Sequence, residues 1–235
     1  MGKESSKKIQ GLRMNKFISI IPLRKGSKGI KNKNTKLLNG IPLYIYTINQ
    51  SSRLFEKCIV NTNIEEILNK KFTSNIDTFK REEKYSGDKT SMQEVLNDLF
   101  CKLNLVDYNA VLLQATSPLR SDQDIINAIN LYKTKQYSLV LSVKATEKNV
   151  LKYGIKKNNF FKPLHKKSLF KNRQELPKVL SPNGAIYVFS IKDFLKYKDF
   201  PSNKIGFYEM PLERSIDIDN IEDFRKVSKI IKKIN

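Results

Sequence analysis

The stretch KFISIIPLRKGSKGIKNKNTK, Lys16–Lys36, decides the fold. Its first part is apolar and rich in β-branched residues, which suits a buried strand. Its second part sets Gly26 and Gly29 among Arg24, Ser27, Lys28, Lys33 and Asn34, and glycine permits backbone turns that most residues resist. A buried strand therefore opens into a cationic loop. Open α/β sheets bind ligands at the carboxyl ends of their strands, and Arg and Lys beside free backbone N–H groups favour anionic oxygens. The loop reads as a phosphate cradle. It fits neither G-x-x-x-x-G-K-[ST] nor G-x-G-x-x-G, so neither a P-loop NTPase nor a dinucleotide site is indicated.

Outward from this stretch, strand-like segments recur at CIVNTN, NAVLLQATS, SLVLSVKA, AIYVFS and IGFYEM. Amphipathic helical segments stand between several of them: LYIYTINQSSRLF, TSMQEVLNDLFCKL and SDQDIINAINLYKTKQ, with NIEDFRKVSKIIKKI closing the chain. The alternation predicts an α/β fold, a mainly parallel sheet with helices on both faces. From Thr146 to Pro182 the pattern breaks into short apolar pieces, basic clusters and prolines, too long for an ordinary connection. That segment reads as an inserted arm, closing a site or pairing subunits. Residues 1–14 read as a polar, disordered tail, and 15–235 as one domain carrying the arm at about 146–182.

With 235 residues, 40% of them hydrophobic, the chain can bury a full core. Lys and Arg number 44 against 23 Asp and Glu, a formal charge of +21. Such an excess suits nucleic acid, an anionic membrane or an anionic small substrate. Much of it lies on polar helix faces, where solvated lysine costs little. No apolar run approaches the ~20 residues that span a bilayer, and FISIIPL is too short and too late for a signal peptide. Cys58 and Cys101 lack metal or redox spacing and read as buried thiols of a reducing cytoplasm.

Two more stretches carry chemistry. In LLQATSPLR, Leu112–Arg120, a buried strand ends in hydrogen-bonding side chains, and Gln114 is poised to read a base or sugar edge. Ser121 or Asp122 reads as a helix cap. In SIDIDN, Asp217 and Asp219 stand two apart, so an extended backbone would put both carboxylates on one face. Like charges that close repel, and Mg²⁺ would relieve them, since it takes hard oxygen ligands from carboxylates and substrate phosphates. Asp219 could equally cap the last helix, with Glu222 as reciprocal partner.

Together these stretches resemble the acylneuraminate cytidylyltransferases, also called CMP-sialic acid synthetases. The family pattern runs R-x-x-S-K-G-x-x-x-K-N, LLQ-x-TSPLR, NGAIY, SIDID. All four stand here in that order, from Arg24 to Asp219. The synthetase for the eight-carbon acid carries S-T-R-L-P-G-K in its first loop, so this chain is similar to the nine-carbon branch. The resemblance implies a Rossmann-like sheet, CTP and Mg²⁺ as requirements, and transfer of CMP to the anomeric hydroxyl of a nonulosonic acid with release of pyrophosphate. By position it implies that Arg24, Ser27, Lys28, Lys33, Asn34 and Arg81 serve the nucleotide. Arg24, Lys28 and Asp217 would act in catalysis, Gln114 and Arg173 would hold the sugar acid, and Asp217 and Asp219 would bind the metal. It also implies a homodimer, with Arg173 of the arm completing a neighbouring site. Two departures stand out: Asn61, Thr62 and Asn63 replace the frequent Ser-Thr-Asp, and Ser181 stands where some members carry a second arginine. His165, the single histidine, reads as a surface residue. A basic α/β protein that binds RNA, and a nucleotidyltransferase for another sugar acid, are the alternatives; the expected partners include neither nucleic acid nor membrane.

Overall fold

Strand β1, Phe17–Leu23, is buried at six of its seven residues because it runs through the middle of a sheet covered on both faces. This computed structural model describes residues 16–234, so the expected tail at 1–14 lies outside the described residues. A two-residue hairpin, β2 (Leu37–Leu38) and β3 (Ile41–Pro42), leads into helix α1, Leu43–Leu54. Then come β4 (Cys58–Thr62), the one-turn α2 (Glu65–Leu68), β5 (Ile76–Lys80) and α3 (Met92–Leu103). Strand β6, Asn109–Leu113, is followed by α4, Asp122–Lys133, and β7, Leu139–Thr146. An arm bearing the hairpin β8 (Gly154–Lys157) and β9 (Phe160–Pro163) precedes β10, Val179–Ser190. The chain closes with α5 (Ile191–Tyr197), β11 (Ile205–Glu209) and α6 (Ile221–Ile234).

The sheet order is β11-β7-β10-β6-β1-β4-β5, and β10 alone runs antiparallel to its neighbours. The carboxyl ends of β1, β4, β5, β6 and β7 therefore share one edge, and the entry of β10 returns to it. Strand alternation sends Ile18 and Ile20 against Leu96, Leu99 and Phe100 of α3, while Ile21 and Leu23 meet Tyr44 and Ile48 of α1. Each face is thus sealed by helices, as the apolar runs of the strands require. Reciprocal capping boxes start two of them, Ser91 with Glu94 and Ser121 with Asp124.

Several expectations change. Strand β5 is half-buried at the sheet edge, and its polar IDTFK lacks the long apolar signature of the inner strands. The arm is shorter than 146–182, because β7 and β10 go on pairing from Val143 opposite Pro182 to Thr146 opposite Val179. Cys101 is exposed and only Cys58 is buried; helical spacing turns Cys101 away from Phe100 to the solvent side of α3. The segment from Ser215 to Asn220 is irregular and not a strand. Its Ile218 N–H donates singly to the Thr116 carbonyl at 2.9 Å instead of entering a ladder. Among the described residues no helix is long and apolar enough to cross a membrane.

Candidate active site

The cationic loop leaves β1 at the shared carboxyl edge and is fastened on three sides. Asn34, buried, donates from Nδ2 to the Arg24 carbonyl at 2.9 Å and closes the loop on itself. The Lys25 N–H donates to Asn63 Oδ1 at 2.8 Å, which ties the loop to the end of β4. Lys33 Nζ donates to the Ile218 carbonyl at 2.6 Å and lies 3.3 Å from Asp219 Oδ1. The glycines have distinct causes. Gly26 has φ +80°, in the left-handed region that other L-residues rarely adopt. At Gly29 an added Cβ would fall 2.0 Å from the Asp219 carbonyl oxygen, so only glycine lets the loop rest on that segment.

Arg24, Ser27, Lys28, Lys33 and Asn34 line one side of a cleft of about 300 Å³. Arg81, Gln114, Thr116 and Asp219 line the rest. The residues expected to serve the nucleotide thus meet from the ends of β1 and β5. Arg81 is only 4% exposed and forms no ion pair with any described residue. It donates from Nε to Asn61 Oδ1 at 2.8 Å and from Nη2 to the Asn61 carbonyl at 3.2 Å. Burial pulls the Arg81 guanidinium down to about 10, and the positive charge of Arg24 adds to the fall. A cation held out of water without a counter-ion is poised for an incoming anion. Asp88, unremarked in the sequence, pairs with Arg24 at 2.9 Å and Lys28 at 3.1 Å. These partners, Lys28 first, hold its exposed carboxyl below the ordinary value.

Asp217 and Asp219 do not form the one-faced pair expected. Asp217 is recessed, and its Oδ1 is buried without a hydrogen-bond partner, whereas the Asp219 side chain is 76% exposed. Burial raises the Asp217 carboxyl above its usual range. Thr116 opposes the rise, Asp219 adds to it, and the charges of Lys33 and Lys144 oppose it. The Thr116 hydroxyl is nevertheless also without a hydrogen bond of ordinary geometry, so its influence on Asp217 is that of a nearby dipole. Asp219 does not cap the last helix. Asn220 Oδ1 accepts the N–H groups of Glu222 and Asp223 at 2.9 Å, and Asp223 Oδ2 accepts that of Asn220 at 3.2 Å. Asn is a favoured cap, and Asp219 stands one residue too early.

A buried arginine organises the floor. Arg120 donates to the Gln114 carbonyl at 3.2 Å and the Ala185 carbonyl at 2.8 Å through Nη1, and to Gln50 Oε1 at 2.9 Å through Nε. It thereby pins the exit of β6 to β10. Burial lowers its guanidinium to about 9, against the attraction of Asp124 and Asp122. Gly184, with φ +76°, would set a Cβ 3.6 Å from Asp217 Oδ2 and 3.7 Å from Gln114 Nε2, so it packs beside both. Arg120 closes the quoted LLQATSPLR, yet no sequence signal separates a buried arginine from an exposed one.

Arg173 is not brought to this cleft. It is exposed on the arm and borders a separate hollow with Thr146, Glu147 and Lys148. His165 is exposed, as expected, with Nδ1 2.7 Å from Ser168 Oγ. Two carboxylates are too few for a closed metal cage, and no cluster of three or more His, Cys, Asp or Glu side chains suited to a metal occurs among the described residues. The orphaned Oδ1 of Asp217 fits a hard cation whose other ligands come from phosphate and water.

Comparison with known proteins agrees with this geometry. The profile of the cytidylyltransferase family matches residues 18–233. The N-acylneuraminate cytidylyltransferase of Escherichia coli is 35% identical over 94% of this chain, which spans about half, 53%, of that protein's length. The CMP-N,N'-diacetyllegionaminic acid synthase of Campylobacter jejuni is 29% identical over 93% of this chain and 96% of its own. Among solved structures, CMP:2-keto-3-deoxy-manno-octonic acid synthetase complexed with CTP superimposes with a TM-score of 0.69 at 14% identity, covering 94% of this chain and 100% of that one. That likeness shows the shared fold.

Proposed function

The chain belongs to the cytidylyltransferase family, and from that premise we propose that it transfers CMP from CTP to the anomeric hydroxyl of a nonulosonic acid and releases pyrophosphate. The observation that carries the reading is Arg81: a buried cation without a carboxylate partner, beside Arg24 and Lys28 in one cleft, calls for a polyanion. Relatives named for neuraminic and legionaminic acids support the acceptor class.

In the reaction the anomeric oxygen bonds to the α-phosphorus as the bond to pyrophosphate breaks. Such phosphoryl chemistry asks chiefly for alignment and for neutralised charge. Arg24, Lys28 and Arg81 would grip the triphosphate, Arg24 exchanging Asp88 for phosphate, while Ser27 and Asn34 shape the loop around it. Lys33, already bonded to the Ile218 carbonyl, would hold the carboxylate segment against the nucleotide. Asp217 and Asp219 would hold Mg²⁺, which neutralises triphosphate charge when bound. Gln114 would meet the sugar acid. Residues 15–235 act in this reading as one domain, cytoplasmic in keeping with two free cysteines, and two copies would pair through the arm.

Pyrophosphate release, screened over four nucleoside triphosphates and a panel of nonulosonic acids, tests the reading. Release is expected with CTP and a nonulosonic acid together. Release that ignores the base, or that occurs with no nonulosonic acid in the panel, would overturn it.

A further inference from the structure

We propose that Lys144 binds the carboxylate of the acceptor sugar acid, as a specificity-determining residue contributed by the same subunit. The proposal rests on the cytidylyl-transfer reading above. On β7, Lys144 is two residues beyond Ser142, so the two side chains leave the strand on one face. Ser142 Oγ donates to Asn183 Oδ1 at 2.6 Å, and Asn183 Nδ2 donates to Ser215 Oγ at 3.0 Å. That face of β7 is therefore the one on which the segment carrying Asp217 packs. One step closer to the carboxyl edge, Lys144 pairs in register with Ser181, three residues before Gly184. Asp217 in turn lies beside Gly184 and Gln114.

Lys144 is half-buried and makes no hydrogen bond or ion pair with any described residue. Directly across the antiparallel pair stands Ser181, and side chains so opposed share a face with Cβ atoms about 5 Å apart. Ser181 is small, and its hydroxyl turns to the Pro182 carbonyl at 3.3 Å. Of these two facing positions, Lys144 carries the positive charge.

The sheet order separates the anions to be bound. Arg24, Lys28 and Arg81 lie at the ends of β1 and β5, on one flank of Gln114, whereas β7 lies on the other flank beyond β10. For its hydroxyl to reach a phosphorus held on the first flank, the acid must stand on the second. Its carboxylate is bonded to the anomeric carbon itself, so it stays next to the reacting oxygen. A half-buried, unpartnered lysine on that flank matches a single carboxylate.

Steady-state kinetics of Lys144→Ala, Lys144→Met and Lys144→Arg test this. A lost charge-assisted bond should raise the KM for the sugar acid by about tenfold or more and leave that for CTP within about twofold, with Lys144→Arg the mildest. Lys144→Met keeps the apolar stem, so it reports on charge even where Lys144→Ala folds poorly. Adding Ser181→Arg to Lys144→Ala should recover the acid KM, which a purely structural lysine would not predict. An unchanged acid KM, or equal rises for both substrates, overturns the role of Lys144 in an enzyme that still transfers CMP. A wild-type protein without CTP-dependent turnover overturns the functional reading and this proposal together.

Discussion

At the scale of the residue, Asp217 carries a conflict that function explains. Its pKa is raised by burial and its Oδ1 has no partner. A folded-state pKa above the unfolded one means that the carboxylate ionises more readily when unfolded. It therefore destabilises the fold at and above the raised pKa, and the cost vanishes as the pH falls below the ordinary carboxyl range. Asp217→Asn should accordingly leave the melting temperature at neutral pH unchanged or higher, while lowering turnover by roughly a hundredfold or more, the usual scale for losing charge stabilisation at a reacting centre. Thermal melts beside turnover at limiting Mg²⁺ decide it. Wild-type turnover in this variant would remove Asp217 from the site.

At the scale of the element, the site depends on how closely the loop after β1 meets the segment before α6. Gly29 and Gly26 separate two demands on that loop. Gly29→Ala sets a Cβ 2.0 Å from the Asp219 carbonyl oxygen, so one backbone must move. Gly26→Ala meets no atom within 4 Å and suffers only the strain of its positive φ, about 1–2 kcal/mol. Gly29→Ala should therefore reduce turnover with CTP more than Gly26→Ala, because it also shifts the carboxylate that Lys33 holds. Equal losses from the two substitutions would show that loop conformation alone matters.

At the scale of the whole molecule, the arm is incompletely covered. Phe160 is 76% exposed and Phe170 93%, with Phe161 and Leu164 also exposed. An apolar surface of this kind suits a contact with another molecule, and Arg173 stands on the same arm, away from its own chain's cleft. Two copies paired through their arms would bury these side chains and bring Arg173 to a neighbouring site. Mixing Arg173→Ala subunits with Lys28→Ala subunits should then restore activity, because some mixed sites draw on intact residues from both chains. Sedimentation showing a fully active monomer would end this arrangement and leave the cytidylyl chemistry standing.

Local patterns were legible in the chain because they obey local physics. Buried strands require apolar β-branched runs, tight loops require Gly26 and Gly29, and amphipathic helices require periodic apolar residues. FISIIPL, the cationic loop, Gln114 and the two aspartates could therefore be read in order, together with the α/β class that their alternation imposes. Strand β5 was not legible, because a half-buried edge strand needs no long apolar run. Nor was Asp88, whose partners are sixty or more residues away. Composition cannot distinguish Arg81 or Arg120, buried and short of counter-ions, from the many solvated cations of a chain with charge +21. The exposure of Cys101, the separation of Asp217 from Asp219, and the capture of the last helix by Asn220 were likewise decided in three dimensions. Burial, a counter-ion and a free hydrogen-bond acceptor are properties of what surrounds a side chain, and distant segments supply those surroundings only once the sheet has brought its strand ends to one edge.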